Sequence, residues 1–303
     1  MAHVQVTVPA VALDLGSGVG SGSLALALGL HNVIEAAISN DGETLVAVEG
    51  ASDLAGELVL RGVEAVMHAL KREMPPLTVL CNASIPSRCG LGDEETWLIG
   101  GLMAINNLIG APLKRTQIAD IALRLTSTPS AAVTSLIGGL AVVSSSGNDL
   151  IYRRLDVTAG KVVLALPEVA DYRVKASRVI SQRASDPAMQ ELWRQSGARA
   201  VLFVEALRRG DYGLLAQVTS NPPLDAERLA LLPGSDAAIS AAKQAGASAV
   251  LISGDGPALV CFAEKDHQQI AAVLRTSFAN AGIKCRTWIV NIDTQGVTLT
   301  VRG

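Results

Sequence analysis

The stretch Ile85-Pro86-Ser87-Arg88-Cys89-Gly90-Leu91-Gly92-Asp93-Glu94-Glu95-Thr96 decides how this chain is read. It is a turn carrying two glycines, and it joins segments of different hydrophobic period. Upstream, Leu77-Thr78-Val79-Leu80-Cys81-Asn82-Ala83 alternates and is partly β-branched, which predicts a strand. Downstream, Trp97, Leu98, Ile99, Leu102, Met103, Ile105 and Leu108 recur at helical spacing until Gly110 closes the run. Strand, glycine turn and buried helix together aim backbone N–H groups and a positive helix end at an anion. Asp93, Glu94 and Glu95 nevertheless stand where a bound phosphate would sit.

Composition narrows what the turn can serve. The 303 residues leave room for one large or two ordinary domains, and 49% of them are apolar. No apolar run approaches the roughly 20 residues that span a bilayer. The start Met1-Ala2-His3-Val4-Gln5 has neither the basic segment nor the apolar core of a signal peptide, so a cytoplasmic location is expected. Net charge is −3 and no segment gathers Lys and Arg without acids, which argues against nucleic acid as a partner. Aromatics are 3% of the chain, so the core must be aliphatic. Cys81, Cys89, Cys261 and Cys285 form no C-x-x-C pair and read as buried free thiols. His3, His31, His68 and His267 are scattered along the chain and support no catalytic grouping.

Outward from the turn toward the N-terminus, Val4 to Val8 alternates as a strand that Pro9 is expected to end. The segment Leu13-Asp14-Leu15-Gly16-Ser17-Gly18-Val19-Gly20-Ser21-Gly22-Ser23 follows. Locally it resembles motif I of S-adenosylmethionine-dependent methyltransferases, a reading that requires a parallel sheet; otherwise it is a turn between two strands. Asn32 to Val48 reads as two strands about the turn Asn40-Asp41-Gly42. Asp53 is placed to cap a helix reaching about Arg72, with Leu54, Leu58, Leu60, Val63, Val66, Met67 and Leu70 inward. After the central helix, Thr116 should cap a short helix through Leu125, and Leu140–Val143 pairs with Tyr152–Leu155.

A second unit begins near Lys161, which divides the chain into domains 1–160 and 161–303. Its elements are a strand over Val162–Leu166, helices from Asp186 to Val218 broken at Gly210-Asp211, and a helix restarting after Pro233-Gly234-Ser235. A strand pair then surrounds Ser253-Gly254-Asp255-Gly256-Pro257, followed by a helix over about Asp266–Ala281 and strands at 284–291 and 296–302. The alternation fits an α+β fold of two units, each an antiparallel sheet backed by helices.

Four segments in register resemble the homoserine kinase branch of the GHMP kinase superfamily. Pro9 to Leu26 resembles P-A-T-S-A-N-L-G-P-G-F-D-x-L-G-L-A-L, and Ile85 to Asn106 resembles I-P-x-x-x-G-L-G-S-S-A-A. Thr126 to Gly139 is similar to E-G-H-P-D-N-V-A-P-A-L-x-G-G, and Gly246 to Pro257 to G-A-x-G-x-x-x-S-G-S-G-P. Arg178 and Arg228 fall at the family's R-x-V-L and Y-R-x-x-L-I-P-G elements. The resemblance implies a ribosomal-protein-S5-like N-terminal domain, a ferredoxin-like C-terminal domain and a site between them. It also implies ATP and Mg²⁺ as cofactors and ATP-dependent phosphorylation of L-homoserine, a step of threonine biosynthesis.

By position, the resemblance puts Pro86, Gly90, Leu91, Gly92, Asp93 and Glu94 in the nucleotide loop. Asp14, Gly20, Arg178 and Arg228 fall at substrate-binding positions. The chemistry at these places departs from the family pattern. Asp93 and Glu94 replace its two serines, Thr126 replaces its metal-binding glutamate, and Thr128, Ser130 and Ala131 replace its His, Asp and Asn. Asp14 and Gly20 replace the Asn and Asp of the first motif.

A carboxylate about 4 Å from a phosphate oxygen costs on the order of 4 kcal/mol at an effective dielectric near 20. The same acids at a vacant helix start are each favourable by roughly 0.3–1 kcal/mol. The expectation is a pseudoenzyme whose family reaction is impaired or lost. One alternative is an active kinase with a Mg²⁺ site rebuilt on Asp93 and Glu94. Another is a module that binds a small carboxylate between Arg178 and Arg228, forms a homodimer or pairs with an intact paralogue. The two arginines otherwise read as surface salt bridges to residues such as Asp171 or Glu227.

Overall fold

The computed structural model describes residues 3–13, 24–146, 149–158, 160–183, 187–219 and 223–302. The first half runs β1 (His3–Leu13), β2 (Leu24–Ile38), β3 (Leu45–Glu49), α1 (Leu54–Ala69), β4 (Leu77–Asn82), α2 (Asp93–Leu108), α3 (Arg115–Leu123), α4 (Pro129–Ile137), β5 (Leu140–Ser146) and β6 (Asp149–Leu155). The second half runs β7 (Lys161–Pro167), α5 (Tyr172–Arg183), α6 (Pro187–Arg209), α7 (Tyr212–Val218), α8 (Pro223–Leu229), α9 (Ser235–Gln244), β8 (Ala249–Ile252), β9 (Leu259–Phe262), α10 (His267–Asn280), β10 (Cys285–Asn291) and β11 (Thr298–Arg302).

The first sheet has the order β11-β1-β2-β4-β3, with β5 paired to β2 and β6 to β5. All its ladders are antiparallel except that of β3 with β4. That topology removes the methyltransferase reading, which needs a parallel sheet. It also corrects the expected hairpin across Asn40-Asp41-Gly42, because β4 lies between β2 and β3. The chain leaves β3, crosses through α1 and returns as β4 in parallel, as a β-α-β unit must. Nor does Pro9 end its strand. β1 continues to Leu13, with a register shift between Pro9 and Ala10 that accommodates the missing N–H.

α1 and α2 pack on this sheet through Val59, Val63, Leu98, Ile99 and Leu102, against Val4, Val6, Val8 and Ile34. Glycines let the two helices touch backbone to backbone. A Cβ at Gly101 would lie 2.0 Å from the carbonyl oxygen of Val59, and one at Gly62 would lie 2.5 Å from that of Leu98. Two expected caps differ. Asp53 makes no side-chain cap to α1, and Thr116 lies inside α3, whose start is closed by the Gln117 side chain accepting the Lys114 N–H at 2.9 Å. Leu54 is 41% exposed, whereas Val59, absent from the expected inward set, is wholly buried.

The second sheet, β10-β7-β9-β8, is antiparallel throughout. Both its faces are covered, which explains why β7 reads Val162-Val163-Leu164-Ala165-Leu166 without a polar break. Val163, Ala165, Leu259 and Cys261 meet α9 and α10. Val162, Leu164, Val260 and Phe262 meet Leu26, Leu28, Ile85 and Leu91 of the first half together with Phe203 of α6. The junction between the halves is therefore an apolar core. After β10 the chain returns to the first sheet, where β11 pairs with β1 from Thr7↔Thr298 to His3↔Arg302. The final strand thus belongs to the sheet of the first half of the chain.

Candidate functional site

Asn32 sets the exit from β4 into the glycine turn. Its buried side-chain oxygen accepts the N–H groups of Ser84 and Ile85, each at 3.0 Å, and its amide donates to Thr96 Oγ1 at 2.8 Å. One polar residue in β2 therefore fixes both ends of the turn. Within it, Arg88, Gly90 and Gly92 have φ of 54°, 86° and 65°. Gly90 is required twice over, since its φ is positive and a Cβ would fall 2.1 Å from the Ser253 carbonyl oxygen.

Gly92 is the N-cap of α2. Asp93 is the first helical residue, and its side chain reaches back so that Oδ1 accepts the Arg88 N–H at 3.0 Å. Burial pushes the Asp93 carboxyl above the usual range, opposed by the Arg88 N–H. Burial also raises Glu95, against a hydrogen bond from Thr126 Oγ1 to Oε1 at 2.7 Å. Thr126 in turn accepts the Thr128 N–H at 2.9 Å. The three acids thus differ: Asp93 satisfies the turn, Glu95 is tied to the segment before α4, and Glu94 is half-buried at the opening.

A second glycine loop, 253–257, closes on this turn from the other half of the chain. Ser253 Oγ donates to the Gly90 carbonyl at 2.6 Å and accepts the Leu13 N–H at 3.0 Å. The Gly254 N–H reaches the Leu13 carbonyl at 3.0 Å, and the Ala258 N–H reaches that of Cys89 at 3.1 Å. Between the loops lies a cleft of about 310 Å³. Asp93, Glu94, Glu95, Ser127 and Thr128 line one side, with Arg173, Gly254 and Asp255 opposite. A larger hollow of about 610 Å³ between α1 and α3 touches neither glycine loop and sets Arg61, His68 and Arg124 beside Glu64 and Asp120 around an apolar floor.

Of the expected substrate residues that are described, neither arginine lines the cleft. Asp14 and Gly20 lie outside the described residues. Arg178 is exposed on α5 and is not among the cleft's lining. Arg228 is 3% exposed and is not a surface residue. One terminal nitrogen pairs with Asp225 at 3.3 Å, the other donates to the Gly254 carbonyl, and Nε has no partner. Ser130 is fully buried near the start of α4, and its Oγ has no partner. Pro86 accepts the Cys89 thiol at 3.0 Å instead of facing the cleft, and burial pushes that thiol up to about 12. Asn32 and Arg173 carry more of the site than the sequence indicated. A buried asparagine in an apolar strand was the available signal for the first; nothing local marked the second.

Comparison with known proteins bears on the family and the fold. The homoserine kinase of Trichormus variabilis is 32% identical over 230 residues, 74% of either chain. This chain belongs to the homoserine kinase family. The homoserine kinase of Microchaete diplosiphon is 28% identical over 311 residues, spanning 100% of this chain and 99% of that one. The family described as "GHMP kinases C terminal" matches residues 203–280. The crystal structure of the Cytophaga hutchinsonii homoserine kinase superposes with a TM-score of 0.83 at 20% identity, covering 98% of this chain and 97% of that one. The fold is thus the two-domain GHMP kinase fold.

GHMP kinases transfer phosphate from ATP with Mg²⁺, and the residues present can be tested against both. The two glycines of the family's turn pattern are present, with Gly90 and Gly92 at positive φ ahead of a helix N-terminus. The N–H of Arg88, however, already holds the Asp93 carboxylate, and two further carboxylates follow in the same helical turn. The turn therefore presents carboxylates where the family pattern has the serines of its nucleotide loop. Carboxylate oxygens suit Mg²⁺ chemically. Yet among the described residues no three His, Cys, Asp or Glu side chains are grouped to hold a metal ion. No helix among them is long and apolar enough to cross a membrane.

Proposed function

We propose that this member of the homoserine kinase family keeps the family cleft as a site for a small carboxylate-bearing ligand, while its inherited reaction is impaired or lost. The observation that carries the reading is the Asp93 carboxylate on the Arg88 N–H, inside a turn whose shape is otherwise that of a phosphate loop. Phosphoryl transfer depends on positioning and on cations that offset phosphate charge. Here the helix start contributes three carboxylates, and Thr126 stands where the family pattern has a metal-binding glutamate. The fold supports retention of the cleft, because both glycine loops and the contacts between them are intact.

The rival is an active kinase with a rebuilt metal site. The favourable observation is that Glu95 places a carboxylate 2.7 Å from Thr126, so acid has returned to that region from the opposite helix. Isothermal titration with MgATP at millimolar concentration, together with homoserine-dependent ADP release, separates the two. Absence of saturable binding and of turnover is expected. Saturable nucleotide binding with homoserine-dependent release would establish the rival.

A further inference from the structure

Among the described residues lining the cleft there are four carboxylates and a single guanidinium, that of Arg173. Its terminal nitrogen meets Asp255 Oδ2 at 3.4 Å, and the two side chains are 36% and 59% exposed. This contact is long, single-pronged and wet. Ion pairs of that kind contribute little, with a median between zero and about 1 kcal/mol. A guanidinium engages a carboxylate far better when both of its parallel N–H groups are used. The arginines that the family pattern offers are not in a position to compete. Arg178 is exposed away from the cleft lining, and Arg228 is buried with its terminal nitrogens on Asp225 and Gly254.

We infer that Arg173 is the ligand-carboxylate residue of this cleft, and that Asp255 is its resting counter-ion, displaced when a small amino or hydroxy acid enters. Asp255 stands at the second serine of the family's S-G-S-G-P loop, so the counter-ion is a feature of this chain and not of the pattern. The loop that carries it is held from behind. Ser253 is pinned to Gly90 and Leu13, and Gly254 to Leu13 and Arg228, so Asp255 can turn away without the backbone moving. Opposite Arg173, Glu94 and Glu95 present negative charge toward the same space. An α-amino acid would set its carboxylate on Arg173 and its ammonium toward the start of α2. The assignment rests on the reading of the cleft as a retained ligand site.

Titration of the full chain with L-homoserine, 4-hydroxybutyrate and 3-aminopropan-1-ol, without nucleotide, tests the assignment separately from the loss of phosphoryl transfer. Arg173→Ala should weaken the two carboxylate-bearing probes at least tenfold and leave the amino alcohol unchanged. Arg173→Lys keeps the charge without the fork and should lose several-fold. Asp255→Ser removes the competitor and should tighten the carboxylate probes several-fold, while Arg178→Ala should do nothing. Arg173→Ala and Asp255→Ser break the same ion pair, so a purely structural contact would move both in one direction. Parallel weakening by both, a loss confined to Arg178→Ala, or no binding of any probe to the wild type would each overturn the assignment. None of those outcomes would restore nucleotide binding, so the pseudoenzyme reading stands or falls on its own titration.

Discussion

The hydroxyl of Ser253 donates to the carbonyl of Gly90 at 2.6 Å, although 163 residues separate them, and both come from glycine loops of different halves of the fold. The same oxygen accepts the Leu13 N–H, so one buried side chain joins the end of β1, the turn before α2 and the loop after β8. Replacing Ser253 with Ala would strand a buried N–H and remove the donor to Gly90. A buried group left unpaired costs about 1–3 kcal/mol. Urea unfolding should show a lower midpoint with an unchanged slope, since the surface exposed on unfolding does not change. An unmoved midpoint would mean that the loops are held by their backbone bonds alone.

The contact between α1 and α2 is equally specific. With only 2.0 Å between a Cβ at position 101 and the Val59 carbonyl oxygen, Gly101→Ala must push the helices apart. Overpacking a tight core costs about 1–3 kcal/mol, and a backbone obstacle belongs at the upper end. Thermal unfolding should fall by several degrees, whereas Gly110→Ala is the contrasting case. A Cβ at Gly110 meets nothing within 4 Å, and its cost comes from the positive φ of 90° alone. Equal losses at the two positions would contradict the packing account.

These contacts mark what could be read from the chain. The β4-turn-α2 unit was legible because hydrophobic period changes sharply at Gly90 and Gly92, and the resemblance supplied the two-domain fold. Strand partnership was not legible. Asn40-Asp41-Gly42 is good hairpin chemistry, yet β3 pairs in parallel with β4 across the α1 crossover, a partnership that no local turn residue encodes. Pro9 misled for a similar reason, since a bulge absorbs one missing donor inside a long ladder. At the site, residue identities showed which chemical groups were altered. They could not show that Arg228 turns inward to Asp225, or that Arg173 lines the cleft beside Asp255, because both depend on pairings between α5, α8 and the loop at 253–257.

The raised carboxyl of Glu95 gives a signed pH dependence. Burial outweighs the hydrogen bond from Thr126, so the folded state holds the proton to higher pH than the unfolded chain does. The folded state then binds more protons, and stability falls as pH rises from the ordinary glutamate range, about 4.3, through the raised value. Glu95→Gln keeps an oxygen for Thr126 and has nothing to ionise. The variant should gain stability relative to wild type at neutral pH, and the gain should vanish below about pH 4. A difference that is constant with pH, measured by denaturant midpoints, would show that Glu95 does not titrate differently on folding.

Restoring the serines of the family pattern tests the electrostatics of the turn directly. Two carboxylates each about 4 Å from a phosphate oxygen oppose binding by roughly 8 kcal/mol together at an effective dielectric near 20. A millimolar ligand has only about 4 kcal/mol to spend. Glu95 is held by Thr126, so removing Asp93 and Glu94 together crosses the threshold for detection, whereas removing one of them does not. Asp93→Ser with Glu94→Ser should show saturable MgATP binding in the millimolar range, where the wild type shows none. Glu95→Gln lowers the charge but leaves the Asp93 carboxylate on the Arg88 N–H, so it should stay silent. If Glu95→Gln opens the site as well as the double variant does, overall charge governs nucleotide exclusion, and the placement of Asp93 in the turn does not.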